Sequence, residues 1–250
     1  MDRLIYTAMT GASGTMSRQA AVAQNLANVS STGYRAEEHR LRAVQVNAHS
    51  NPAALPTRAF AVDASTHTDF SQGPMQFTGR NLDVAVEGSG WIALAMPDGS
   101  EAYTRNGNLE LNVNGVLQTR TGIPVMGDGG PISVPPDSKI SIGKDGTVSV
   151  VPETGAQNTV NAIGRIKVVN PPEETLVRRE DGLFRSADGA GLPNDDKASL
   201  ANGYLEGSNV NPVEQMVSMI SLARQFEMQM KMISTAEQND KAATQVIANF

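Results

Sequence analysis

Both ends of this chain read as amphipathic helices whose apolar stripes are too narrow to build a core alone, and that feature constrains the fold more than any other. Residues 3–27 place Ile5, Met9, Ala12, Met16, Ala20, Ala23 and Leu26 at steps of three and four, with Asp2 positioned to cap the first turn. Near the other terminus Asn211 can cap, Pro212 suits the first helical position, and Glu214 completes an N-x-x-E box. From there Val213, Met216, Ile220, Ala223, Phe226, Met230 and Ile233 form a second stripe. Small and flexible side chains dominate both stripes, a pattern that suits a seam for another helix better than the face of a globular core.

A hairpin of two such helices leaves most of each surface exposed and is marginal by itself. Neighbouring copies of the chain could supply the missing partners, and the methionines at 9, 16, 216, 219, 228, 230 and 232 suit surfaces that pack in several slightly different settings. An intramolecular helical core within a monomer is the competing reading.

Between the helices the texture changes to short alternating runs: Leu82, Val84 and Val86; Ile92, Leu94 and Met96; Leu109, Leu111 and Val113; then 140–142, 148–150 and 166–168. Asp98-Gly99, Asn106-Gly107, Asn114-Gly115, Asp145-Gly146 and Asp181-Gly182 punctuate them as turns. The predicted fold is therefore mixed α and β. Two long terminal helices form a coiled-coil-like module, and a central, mainly antiparallel β domain lies between them. The expected parts are an N-terminal assembly helix with its turn over 1–36, an extended connector over 37–75, the β domain over 76–205 and a C-terminal assembly helix over 206–250 that pairs with the first.

Chemistry is hard to place on this sequence. His39, His49 and His67 are the only histidines, and none has a second ligand at metal-site spacing. Gly143-Lys144 lacks the upstream glycine of a phosphate loop, and EGSGW at 87–91 lacks the spacing of a nucleophile elbow. The acidic pairs Glu173-Glu174, Glu180-Asp181 and Asp195-Asp196 sit beside Pro or Gly as solvated loop residues. With no cysteine there are no disulfides and no thiolate sites. No catalytic, metal or cofactor residue is expected, and the chain reads as a non-enzyme.

A net charge of −6 argues against nucleic acid, since the densest basic run, Arg35, Arg40 and Arg42, is broken by Glu37 and Glu38. No window approaches the roughly 18 apolar residues of a membrane span, so no membrane insertion is expected. The opening MDRLIYTAMTGASG lacks the apolar segment of a secretory signal. Export, if it occurs, is expected by a route that reads no cleavable signal.

The first helix ends in NLANVSSTGYRA, residues 25–36. Asn28 and the polar run after it can hydrogen-bond the last free carbonyls, while Gly33 permits a positive φ that reverses the chain. Asn25, Asn28 and Gly33 therefore join the two stripes as candidate assembly residues.

This segment resembles the N-terminal signature of the flagellar rod and hook axial protein family, carried here by Asn25, Leu26, Ala27, Asn28, Thr32, Gly33, Tyr34 and Arg35. TGRNLDVAVEGSGW (78–91) and the stretch 101–127 look like that family's central β segments, and 206–233 looks like its C-terminal signature. The resemblance spans nearly the whole chain. Gly90-Trp91-Ile92-Ala93, the short length and the opening MDRLIYTAM are most similar to the proximal-rod type, while Tyr34 and Arg35 stand where Phe and Lys are more frequent.

The resemblance implies a structural subunit of the bacterial flagellar basal-body rod. Such a subunit polymerises through paired terminal helices into the torque-transmitting shaft that crosses the periplasm and serves motility. It also implies partners among copies of itself and other rod proteins, and passage through the flagellar type III export apparatus. A distal-rod or hook subunit is the near alternative. A secreted carbohydrate-binding or carbohydrate-active protein is the alternative from another class, and it requires convergent carboxylates in a cleft.

Overall fold

A computed structural model describes residues 4–45, 59–136, 138–152 and 160–248. The chain is mixed α and β, with one helix near each end and antiparallel sheets between. It divides into two compact units, and residues of both are drawn from separated stretches of sequence.

The first unit takes Met1–Val29, Ala36–Asp69 and Val210–Phe250. Helix α1 runs Leu4–Ala27 and helix α2 runs Pro212–Ala248. Asp2, the expected cap of α1, lies outside the described residues. At the start of α2 the Asn211 Oδ1 accepts the Val213 and Glu214 amides at 3.1 and 3.4 Å, satisfying donors that a helix start leaves free.

The two helices run antiparallel against each other, since Thr15 meets Gln229 (Oγ1 to Oε1, 3.2 Å) and Asn25 reaches Gln215 (3.5 Å). On the face of α1 that carries Thr15, Ile5, Ala8, Ala12, Gln19, Val22 and Leu26 step by three and four, and on the face of α2 that carries Gln229 and Gln215 so do Met219, Leu222, Phe226, Ile233 and Ala236; all are buried or half-buried. Small residues on α1 admit the longer ones of α2: a Cβ at Gly11 would lie 2.9 Å from the Gln229 Nε2.

Residues 37–75, expected as an extended connector, contain a two-stranded antiparallel ribbon. Strand β1 (Glu37–Gln45) pairs with β2 (Ala59–Thr68) from Glu37 opposite Thr68 to Gln45 opposite Ala59, with a bulge at Arg40/Leu41. Glu37, His39 and Leu41 are half-buried while Glu38, Arg40 and Arg42 face water, so the period-two pattern is present but written in charged residues. Leu41 packs on α1 at Gly14, where a Cβ would come within 2.8 Å of its Cδ1. His49 and the Asn51-Pro52 and Leu55-Pro56 pairs fall outside the described residues.

The second unit takes Ser30–Arg35 and Phe70–Asn209. Its strands begin with β3 (Met75–Phe77), β4 (Val84–Glu87), β5 (Trp91–Ala95) and β6 (Glu101–Thr104). The largest sheet has five antiparallel strands in the order Val168–Val169, β5, β6, Phe184–Ser186, Leu176–Arg178. A three-stranded sheet joins Ser138–Ile142, Thr147–Pro152 and Asn161–Arg165, while β4 pairs with Ser199–Asn202 and β3 with Tyr204–Glu206.

Strand β5 explains why its sequence WIALA is apolar throughout. Ile92 and Leu94 enter a large cluster with Val84, Val86, Leu109 and Leu117, while Trp91 and Ala93 enter a second with Tyr103, Val169, Leu176 and Phe184. A strand covered on both faces loses the alternation of a half-exposed one. Of the expected turn glycines, Gly99, Gly115, Gly146 and Gly182 have positive φ. Gly107 does not: it is glycine because a Cβ there would overlap the Val84 carbonyl.

Candidate functional site

The candidate assembly residues divide into two sets on the helices. Ile5, Ala12 and Leu26 are buried or half-buried on the face of α1 that carries Thr15, and Ala223, Phe226 and Ile233 are half-buried on or beside the face of α2 that carries Gln229. Met9, Met16, Ala23, Val213, Met216, Ile220 and Met230 face outward, with Met16 59%, Val213 68% and Ile220 56% exposed. Met9 and Met16 stand one position from Ala8 and Thr15 of the seam. A count of threes and fours along α1 therefore merges two neighbouring stripes into one.

Both helices thus carry a second apolar stripe that nothing within the described residues of their own unit covers. On α1 it comprises Tyr6, Met9, Met16, Ala20 and Ala23; on α2 it comprises Val213, Met216, Val217 and Ile220, with Met228 beyond the polar Ser221, Arg224 and Gln225. A shallow groove on α2 is lined by Val217, Ile220, Ser221, Arg224, Gln225 and Met228. Exposed apolar residues grouped on one helix face mark an interaction face, whereas single exposed apolar residues do not.

The segment 25–36 has two halves with different duties. In the helical unit Asn25, 2% exposed, clasps the first residue of β1: its Nδ2 donates to the Glu37 carbonyl at 2.8 Å and its Oδ1 accepts the Glu37 amide at 2.9 Å. The side-chain amide thereby copies a backbone partner. At the end of α1 the Asn28 Nδ2 donates to the Gln24 carbonyl at 2.9 Å, a carbonyl that already accepts the Asn28 amide at 3.1 Å, so Asn28 doubles a helical bond where a free carbonyl was expected as its partner.

Residues 30–35 belong to the β unit instead. Thr32 Oγ1 donates to Asn106 Oδ1 at 2.8 Å, and the Gly33 amide donates to the Glu206 carbonyl at 2.7 Å. Gly33 has φ of 68°, and a Cβ on it would overlap the Arg105–Asn106 peptide. Glycine is required there twice, for conformation and for close approach. Arg178 stacks over the Tyr34 ring at 4.8 Å and donates to the Arg35 carbonyl at 2.9 Å.

Sequence reasoning missed that Arg35 is buried with Arg105 and Glu206. Burial lowers the Arg105 pKa from its ordinary value, and the Glu206 carboxylate works against that shift. The one signal available was that Arg35 and Glu206 both fall inside the recognised signatures.

Elsewhere the acidic pairs lie in loops and turns. Asp196 pairs with Arg165 at 2.8 Å, Asp181 with Arg179 at 3.1 Å, and Glu173 and Glu174 form a single 3-10 turn. His39 meets Asp63 across the ribbon at 3.3 Å. Among the described residues no group of three or more His, Asp or Glu could hold a metal ion, and no helix is long and apolar enough to cross a membrane.

Three family models match the chain: flagella basal body rod protein at residues 5–35, flagellar hook protein FlgE/F/G D1 domain at 85–150, and flagellar basal body rod FlgEFG protein C-terminal at 201–246. The flagellar basal-body rod proteins FlgF of Salmonella typhimurium and of Escherichia coli are each 44% identical to it over 254 residues, covering 99% of both chains. The flagellar basal-body rod protein FlgG of Borreliella burgdorferi is 33% identical over 260 residues, covering 95% of this chain and 96% of its own.

Proposed function

The chain belongs to the flagellar basal-body rod protein family, in its FlgF branch, and from that membership we propose how it builds the rod. It is a structural subunit of the flagellar basal body that assembles with other rod components. Within each subunit α1 and α2 pair in coiled-coil fashion through Ile5, Ala12, Leu26, Ala223, Phe226 and Ile233. The outward stripe, with Met9, Met16, Ala23, Val213, Met216, Ile220 and Met230, then docks on helices of neighbouring copies and of other rod proteins.

Contacts of this kind are heterologous and propagate along a helix without closing. Repeated along an axis, such seams carry torque across the periplasm at the proximal end of the rod and so serve motility. Subunits reach the growing end through the flagellar type III export apparatus with no signal peptide removed. Asn25, Asn28 and Gly33 fix the turn from which the ribbon leaves α1.

The observation that carries this reading is the second apolar stripe on helices whose first stripe is already spent on each other. Met16→Glu and Ile220→Glu place a charge on the outward stripe without touching the intramolecular seam. Each variant is expected to fold and to be exported, and to fail in rod assembly and swarming when it is the sole copy. Normal swarming by a strain carrying both substitutions would defeat the proposal.

A further inference from the structure

Glu206 is 1% exposed and holds two cations at once. Its Oε1 accepts Arg35 Nη2 at 2.7 Å and the Gly73 amide at 3.0 Å, and its Oε2 accepts Arg105 Nη1 at 3.1 Å. Arg105 also donates to the carbonyls of Val86 (3.3 Å) and Gly88 (2.8 Å). Two guanidinium groups against one carboxylate leave a buried surplus of positive charge.

Arg35 Nε and Nη1 and Arg105 Nε find no hydrogen-bond acceptor among the described residues. Both guanidinium carbons instead lie over the ring of Trp91, at 5.7 and 5.4 Å from its centroid. The electron-rich face of the only tryptophan stabilises the charge that Glu206 leaves unmatched.

An ion cluster this deep is a poor stabiliser compared with apolar residues of similar volume, and its best-attested use is to fix one arrangement of the chain. The cluster joins three stretches at the margins of the β unit: Arg35 ends residues 30–35, Gly73 lies near the start of 70–209, and Glu206 lies near its end. Backbone bonds follow the same route, from the Gly33 amide to the Glu206 carbonyl (2.7 Å) and from Asn209 Nδ2 to the Ser71 carbonyl (3.1 Å).

We infer that Arg35, Arg105 and Glu206 are positioning residues that form an ion latch. The latch fastens the signature turn and both neighbouring passages of the chain into the β unit before any contact between subunits exists. The second half of the signature is then a strap of the β unit rather than a part of the assembling helices. Lysine at 35 would keep the charge and lose the planar face that stacks on Trp91.

Hydrogen exchange of the full chain at high dilution, read by mass spectrometry with Trp91 emission in parallel, tests the latch. In the parent protein the Gly33 amide is expected to exchange as slowly as the amides of β5. Arg35→Met leaves Arg105 and Glu206 as a balanced pair, so the β unit stays folded. There the Gly33 amide is expected to exchange at least ~100-fold faster with β5 unchanged, and Trp91 emission should shift. Arg35→Lys should recover part of the protection without restoring the emission.

Fast exchange at Gly33 in the parent protein would overturn the inference, and so would an unchanged Gly33 in Arg35→Met. Equal acceleration at Gly33 and β5 would also overturn it, since the residues would then serve the core and not a strap. The amides of α1 and α2 report on assembly in the same experiment, so the latch and the assembly reading stand or fall separately.

Discussion

At the scale of single residues the signature depends on backbone geometry more than on side-chain area. Gly33 combines a φ of 68° with contact against the Arg105–Asn106 peptide, which has no flexible end to move aside. Gly33→Ala is therefore expected to cost about 3 kcal/mol of β-unit stability, measured as the urea midpoint of Trp91 fluorescence; a loss below about 1 kcal/mol would contradict the geometry. Asn25 works in the other unit by lending its amide to both polar groups of Glu37. Asn25→Leu keeps the volume and removes both bonds to Glu37, at about 1–3 kcal/mol, which should appear as faster exchange of the Glu37 amide and no change in β5. Tyr103 supplies a pH dependence. Burial, with its Glu101 contact, pushes its hydroxyl up to about 12 from 10.0, so the folded state holds the proton more tightly than the unfolded chain. That contribution is complete below pH 10 and is lost as pH rises from 10 towards 12. Tyr103→Phe should flatten the alkaline fall of the urea midpoint over this range, and a slope identical to the parent's would show that the hydroxyl carries none of it.

At the scale of elements, the same substitution changes meaning with its surroundings. Gly11→Ala places a methyl near Gln229, but the atoms it meets are the movable end of a long side chain, and Thr15 keeps its bond to the Gly11 carbonyl at 2.9 Å if the Gln229 contact lengthens. Alanine gains about 1 kcal/mol of helix propensity there, so the helical unit should change by less than about 1 kcal/mol in a thermal melt followed at 222 nm. The helices themselves were legible because capping and three-four spacing are local: Asn211 and Pro212 mark the start of α2 within a few residues. The partner face was not legible, because Ala8 and Thr15 become a seam only when Gln229 stands opposite, and small residues give no periodic signal of their own. The ribbon of β1 and β2 was missed for a related reason. A two-stranded ribbon with most of both faces in water needs few apolar residues, so EEHRLR reads as polar connector although its alternation is regular. The latch joins Arg35 to Glu206 across 171 positions, a pairing that spacing along the chain cannot announce.

At the scale of the whole chain, the two units differ in how much of their stability they generate alone. The β unit encloses two apolar clusters around a five-stranded sheet, and β5 is covered on both faces. The helical unit is assembled from three separate stretches of sequence, and its helices leave Met16, Val213 and Ile220 more than half exposed. Opening free energy follows buried apolar contact, so the helical unit should open first and often in a dilute subunit. A rod built on the outward stripes would bury what is now exposed, and each added neighbour would stabilise the helices by mass action. Limited proteolysis of the dilute protein is therefore expected to cut α1, the ribbon and α2 early and to spare 70–209, with the 30–35 peptide retained by the latch even where cleavage has separated it. The same helices should become resistant once the protein is incorporated into rods. Helices as resistant as β5 in the dilute protein would mean that α1 and α2 satisfy each other without neighbours, and the outward stripes would then need a partner other than a second subunit.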